Sequence, residues 1–385
     1  MFDSTVTERY SQAAQAHEPG LCCPVDYDPK FLKIIPQEVL DRDYGCGDPV
    51  SHVREGETVL DLGSGGGKVC FIAAQIVGPK GKVIGVDITD DMLKLARNAT
   101  TKVVAQLGYN NLEFRKGRIE DLTTDIERLD EYLKENPVRN EADLKLLQLK
   151  TEQMRREFPL VADNSVDVII SNCVLNLVSP DQKHQMMKEI YRVLKPGGRV
   201  VISDIVSDED VPLELQQDKD LWSGCYSGAI REDRFFSAFA DVGLYGIKTL
   251  ARDEAPWHTV NGVEFRSVTI AAYKGKEGIC LDHLQAVVFK GPFRRVEDDD
   301  NHLYERGVRM AVCEKTFRIL NREPYKEYFD FLQPNQPVKP EDVKPFNCAV
   351  PTVRDPKETK NGVRLVSAEA IQAAVAGCAP DSGCC

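Results

Sequence analysis

The stretch Val59-Leu60-Asp61-Leu62-Gly63-Ser64-Gly65-Gly66-Gly67-Lys68 decides the fold class of this chain. Residues 58–62 carry Val59, Leu60 and Leu62, the pattern of a buried strand. Gly63, Ser64, Gly65 and Gly67 follow at once, and residues 68–77 then read as a helix. A strand running into a glycine loop that opens a helix is a nucleotide-cofactor turn, because glycines let backbone amides approach the ligand.

Outward from this turn the pattern repeats. Residues 82–86 form a second strand closed by Asp87, residues 91–107 a helix, residues 112–116 a third strand and residues 166–171 a fourth. A helix over 183–194 stops at Lys195-Pro196-Gly197-Gly198, and 199–204 begins a fifth strand. Residues 247–251 and 265–273 supply two late strands, expected as the antiparallel end of the same sheet. Strands alternating with helices predict an α/β fold, a Rossmann-like parallel sheet with helices on both faces.

Two segments interrupt the alternation: a charged helical hairpin over 125–158, turning at Asn136-Pro137, and an excursion over 206–230 that carries Trp222 and Cys225. Gly275-Lys276-Glu277-Gly278 marks a boundary. The expected organisation is an N-terminal segment 1–40 without strong periodicity, a main domain 41–275, and a smaller C-terminal α+β domain 276–385 with a cysteine-rich tail.

Composition narrows the function. A net charge of −12 argues against nucleic-acid and anionic-membrane partners. No run approaches the ~20 apolar residues that span a bilayer, and residues 1–10 show no basic-then-apolar leader, so a cytoplasmic location is expected. Twelve cysteines in a long chain of this kind read as ligands or redox groups rather than a disulfide scaffold.

The carboxylates choose the cofactor. Asp87 at the end of the second strand is placed for ribose hydroxyls. Asp61 would repel a pyrophosphate and suits the ammonium group of S-adenosylmethionine. The blander alternative is that both only cap neighbouring backbone.

Cys46, Cys70, Cys173 and Cys225 all map to the same rim of the predicted sheet. Cys70 lies in the first turn of a helix, where the dipole is expected to ease its ionisation. Thiols gathered at a reacting centre point to a soft, thiophilic substrate. Zinc competes as the ligand, although no close C-x₂-C pair is present among these four or in Cys22-Cys23 and Cys384-Cys385.

Residues 59–65, Val86-Asp87 and Leu194-Lys195-Pro196-Gly197-Gly198 resemble the motifs of class I S-adenosylmethionine-dependent methyltransferases. The resemblance implies that Ile119-Glu120 flank the adenine, that Asn172 and Val174 line the methionine end, and that Ile88 and Met92 join the cofactor site. Tyr44-Gly45-Cys46-Gly47, Gly67-Lys68-Val69-Cys70, Ser171-Asn172-Cys173-Val174-Leu175-Asn176-Leu177 and Leu221-Trp222-Ser223-Gly224-Cys225 resemble, more narrowly, the arsenite methyltransferases. That likeness implies trivalent arsenic on Cys173 and Cys225 with Cys70 as third ligand, a Cys46–Cys70 disulfide during turnover, and a cellular reductant such as thioredoxin or glutathione. The long 125–158 hairpin departs from the expected family pattern. Two other readings stay open: a methyltransferase of another small molecule, and a thiol-based metalloid-binding protein without turnover.

Overall fold

In β1 (Thr58–Leu62), Val59 faces one apolar core, while Leu60 and Leu62 face another. That alternation is what a pleated strand covered on both sides requires. The computed structural model describes residues 2–18, 21, 25–42 and 44–360, in two compact units, Met1–Gly275 and Lys276–Cys385. Cys22-Cys23 and the tail pair Cys384-Cys385 lie outside the described residues.

In the first unit β1 pairs in parallel with β2 (Lys82–Asp87) and with β4 (Val166–Asn172). The sheet runs β3-β2-β1-β4-β5-β9-β7, with β3 (Leu112–Lys116), β5 (Leu194–Ser207), β7 (Tyr245–Arg252) and β9 (Val263–Tyr273). β9 enters antiparallel between β5 and β7, making the sheet mixed. Two-residue β6 (Ile230–Arg231) extends the far end of β5. β8 (His258–Val260) folds onto β9 in a hairpin absent from the sequence expectation. Its Asn261 and Gly262 take φ of 52° and 92°, as a tight two-residue hairpin turn requires.

Among the helices, α1 (Phe2–Gln15) occupies the segment expected to lack periodicity. Among its described side chains, its polar sequence buries Ala13 and Ala14, beside Leu21 and Met92, so the apolar stripe is too thin to read. The short helices α2 (Pro29–Leu32) and α3 (Gln37–Leu40) precede α4 (Lys68–Val77) and α5 (Asp90–Leu107), which cover one sheet face. The expected hairpin is α6 (Ile126–Glu135) and α7 (Glu141–Glu157), capped by Asp125 on the Arg128 N–H and by Asn140 on the Asp143 N–H. Neither helix buries a residue, and its base is tied down by Arg97–Glu127 and Arg155–Asp121 pairs.

α8 (Pro180–Val193) leads into β5 and covers the opposite face. The excursion after β5 folds into α9 (Leu213–Gln216) and α10 (Lys219–Ser223), with Trp222 buried. α11 (Glu232–Asp241) then packs with α8. No helix among the described residues is long and apolar enough to cross a membrane.

The second unit is built on the three-stranded sheet β14-β11-β15, with β11 (Ala286–Phe289), β14 (Arg309–Ala311) and β15 (Phe329–Leu332). α12 (Glu314–Leu320) packs into its core through Phe317 and Leu320. Two small ladders accompany it, β12 (Arg295–Glu297) with β13 (Leu303–Glu305), and β10 (Leu281–Asp282) with β16 (Lys344–Pro345).

Candidate active site

The parallel register places the carboxyl ends of β1, β2 and β4 on one edge, where open α/β sheets bind ligands. One cleft there is lined by Gly63, Gly65, Asp87, Ile88, Ile119, Glu120 and Val174. An adjoining one is lined by Asp61, Ser64, Met92, Asn172, Cys173 and Val174. Tyr10 of α1 lines both. Gly67, at φ 89°, is the N-cap of α4 and supports the loop from behind.

These residues fit S-adenosylmethionine. A Cβ on Gly65 would meet nothing within 4 Å, which leaves its face open to a ligand. The buried Ser64 hydroxyl has no partner among the described residues. Asp87 accepts from the Gly65 and Thr89 N–H groups at 2.8 Å each and keeps lone pairs for ribose hydroxyls. Burial raises its carboxyl above the usual range, and those N–H bonds hold it down only in part.

The thiols lie beside the second cleft. Asn172 takes the N–H groups of Cys46 and Gly47 on its Oδ1, at 2.7 and 3.1 Å, and donates from Nδ2 to Gly47 O and the Tyr27 hydroxyl. Its amide therefore fixes the Cys46 turn as well as lining the cleft, a role sequence reading missed. Gly45 permits this closeness, since a Cβ there would stand 2.3 Å from the Asn172 amide nitrogen.

Cys173 and Cys225 both adopt left-handed backbone, with φ of 61° and 67°. Such conformations cost a non-glycine residue of order 1–2 kcal/mol and collect at functional sites. The Cys225 thiol donates to the Cys173 carbonyl at 2.9 Å, and the Cys46 and Cys173 sulfurs lie within 4.8 Å of each other and of Asp204. Both other thiols stand close enough to Cys173 to push its pKa up. Cys46, Cys173 and Cys225 are thus brought together.

Cys70 is not among them. Its thiol donates to Asp61 Oδ2 at 3.2 Å. Instead of ionising readily, it is pushed well above a free thiol, by burial first and by the Asp61 charge second. The helix dipole is outweighed by a carboxylate in direct contact. Burial also raises Cys46 and, more strongly, Cys173, where the neighbouring thiols add to the effect. Cys46, Cys70 and Cys173 are consequently held as neutral thiols.

Sequence reading also missed the charges around the cluster. Asp204, fully buried, accepts from the N–H groups of Leu175 and Ile205 and from the Asn176 amide at 2.8–2.9 Å. Burial lifts it to about 6, while those bonds and Lys183 pull the other way. Burial lowers Lys183 to about 8 against the attraction of Asp204 and Cys225. Its ammonium donates to Gly228 O at 2.7 Å. Tyr10 is held protonated mainly by burial, with Cys225 and Cys173 adding to the effect. Only the terminal polar residues of a strand and a helix advertise Asp204 and Lys183, a signal shared by many surface positions.

A sheet with β9 inserted antiparallel before β7, the glycine loop after β1 and Asp87 closing β2 define a class I S-adenosylmethionine-dependent methyltransferase. Residues 54–134 and 131–258 match the methyltransferase domain family, and residues 276–364 match a domain family of unknown function. The arsenite methyltransferase of Aquipseudomonas alcaligenes is 34% identical over 81% of this chain and 84% of its own length. The human arsenite methyltransferase is 28% identical over 78% of this chain and 73% of its own. The crystal structure of the arsenic (III) S-adenosylmethionine methyltransferase of Chlamydomonas reinhardtii superposes with a TM-score of 0.55, at 28% identity, over 86% of this chain and all of that one. The chain belongs to the arsenite methyltransferase family, and its co-substrate is S-adenosylmethionine.

Proposed function

We propose that this enzyme methylates trivalent arsenic held as a thiolate complex by Cys173, Cys225 and a third cysteine. The observation that carries the reading is the grouping around Cys173 at the cleft beside the cofactor loop: the Cys46 sulfur lies within 4.8 Å of the Cys173 sulfur, and the Cys225 thiol donates to the Cys173 carbonyl at 2.9 Å. The sequence expectation made Cys70 the third ligand; the gathered sulfurs favour Cys46 instead.

Neutral thiols suit this substrate. Arsenous acid exchanges three As–O bonds for three As–S bonds, and each thiol proton leaves with a hydroxide as water. The complex is uncharged, so the buried site never carries three thiolates without a counter-charge, a cost of several kcal/mol per ion. S-adenosylmethionine supplies an electrophilic methyl group. The arsenic lone pair takes that methyl in line and needs no base, since arsenic has no proton to lose. Positioning both reactants supplies the barrier reduction, up to roughly 7–11 kcal/mol in well-oriented cases.

Methylation leaves arsenic formally pentavalent. Cys46 then leaves arsenic and joins Cys70: the S–S bond forms, the As–S pair returns to arsenic, and Asp61 takes the Cys70 proton. Arsenic returns to the trivalent state, and a cellular thiol such as thioredoxin or glutathione reduces the disulfide. The Cys70–Asp61 hydrogen bond supports this role for Cys70.

The test is chromatographic separation of arsenic species after incubating reduced enzyme with S-adenosylmethionine, arsenite and a thiol reductant. Methylated arsenic that disappears in Cys173→Ser is the expected result. An unaffected variant would end the thiolate reading, and cofactor turnover without arsenic would favour another methyl acceptor.

A further inference from the structure

The second unit holds a sulfur cluster that the methyl-transfer chemistry does not use. The Sγ atoms of Cys280, Cys313 and Cys348 all lie within 4.8 Å of one another. Local structure brings them together from distant parts of the sequence. Cys280 immediately precedes β10, and its carbonyl accepts from the Phe346 N–H at 2.9 Å, extending the β10–β16 ladder toward Cys348. Cys313 is the N-cap of α12, and its sulfur accepts from the Thr316 N–H at 3.3 Å. Each thiol is within hydrogen-bonding reach of the others. A cleft lined by Cys313, Cys348, Thr316, Phe346 and Pro351 gives access to the cluster.

The donor set suits a three-coordinate ion. Among the described residues no fourth histidine, cysteine or carboxylate atom joins the three within that span. His302, which lines the same cleft, has its Nδ1 bonded to Asp298 at 3.0 Å. Structural zinc takes four protein ligands. A trivalent metalloid takes three sulfurs in a pyramid, keeps its lone pair, and forms a neutral complex suited to half-buried thiols.

We propose that Cys280, Cys313 and Cys348 form a second arsenic site, binding one trivalent arsenic per chain as a tris-thiolate. Arsenous acid enters with loss of three waters, one for each As–S bond formed, with no change in oxidation state. The choice of arsenic rests on the function proposed above, whereas the binding count does not; an intact count without methylation would separate the two failures.

The experiment measures arsenic retained per reduced full-length chain after gel filtration from excess arsenite. Cys280→Ser, Cys313→Ser and the double variant should each lose the same single equivalent, because removing one ligand already dissolves the site. Combination with Cys173→Ser should lose two, as independent sites require. Phenylarsine oxide, which needs only two thiols, should bind Cys313→Ser in undiminished amount, showing an intact unit. An unchanged arsenic count in Cys313→Ser overturns the proposal. So does zinc that arsenite fails to displace, or loss of phenylarsine oxide together with arsenite, which would make Cys313 a structural residue only.

Discussion

The two units each gather cysteines, on differently prepared backbones: three sulfurs lie within one span in the second, whereas in the first Cys46 and Cys173 share a span with Asp204 and Cys225 reaches the Cys173 carbonyl. In the first, Cys173 and Cys225 sit at φ of 61° and 67°, an amide tethers the Cys46 turn, and Asp204 and Lys183 stand close by. In the second, Cys313 caps a helix at an ordinary φ of −72°, and none of the three cysteines is left-handed. Holding a soft ion needs only convergence of donors. In the mechanism proposed above, aiming the arsenic lone pair at a methyl group needs direction as well, which strained, tethered backbone would supply.

That contrast is most exposed at Cys225. Cys225→Ser should lower arsenic methylation on the order of a thousandfold, since several kcal/mol of positioning is lost. Near-normal turnover would reduce the first cluster to a holding site like the second.

The charges come next. Asp204, lifted from 3.8 to about 6, contributes its stability below the lower value and loses it as pH rises through the higher. Lys183→Met leaves that carboxylate buried without its cation at pH 7. The variant should lose more stability there than near pH 4, where Asp204 is protonated and only the Lys183 bonds to Leu175 O and Gly228 O are missing. Denaturant titrations at the two pH values check this, and an equal loss at both would remove the pair from the site.

Asn172→Ala should release the Cys46 turn and cost about 2 kcal/mol for its several buried hydrogen bonds. Faster alkylation of Cys46 in the folded state, read by peptide mass mapping, would confirm the tether. The smallest effect sharpens the backbone argument. Cys173→Gly should be more stable than Cys173→Ala by about 1 kcal/mol, although both lack the thiol. Equal denaturation midpoints would show that the left-handed backbone carries no strain.

Much of this was legible in the sequence. Strands β1 to β4, the start of β5, the glycine loop and the hairpin at 125–158 followed from apolar runs and breakers, signals local to each element. The Asn261-Gly262 turn was equally plain and went unread, so β8 was missed. Helix α1 was hidden because its contacts come from two alanines and a tyrosine rather than an apolar stripe. The four rim cysteines were recognisable as a group. Their partition into Cys46, Cys173 and Cys225 against Cys70 was not, because it depends on which way two turns face. The second cluster left no trace of spacing, since the two-residue ladder of β10 with β16 closes it.

Three consecutive residues at the end of β4 answer to three different masters. Asn172 holds the Cys46 turn, Cys173 offers its sulfur, and Val174 fills the space beside Gly63 that a Cβ there would invade at 2.4 Å. A substitution at one of them can be tolerated or not on its own terms. A single-residue insertion or deletion cannot, because it would reassign all three duties at once. This short stretch should therefore be the part of the chain whose length is least free to drift, even while the exposed α6–α7 hairpin lengthens or shortens.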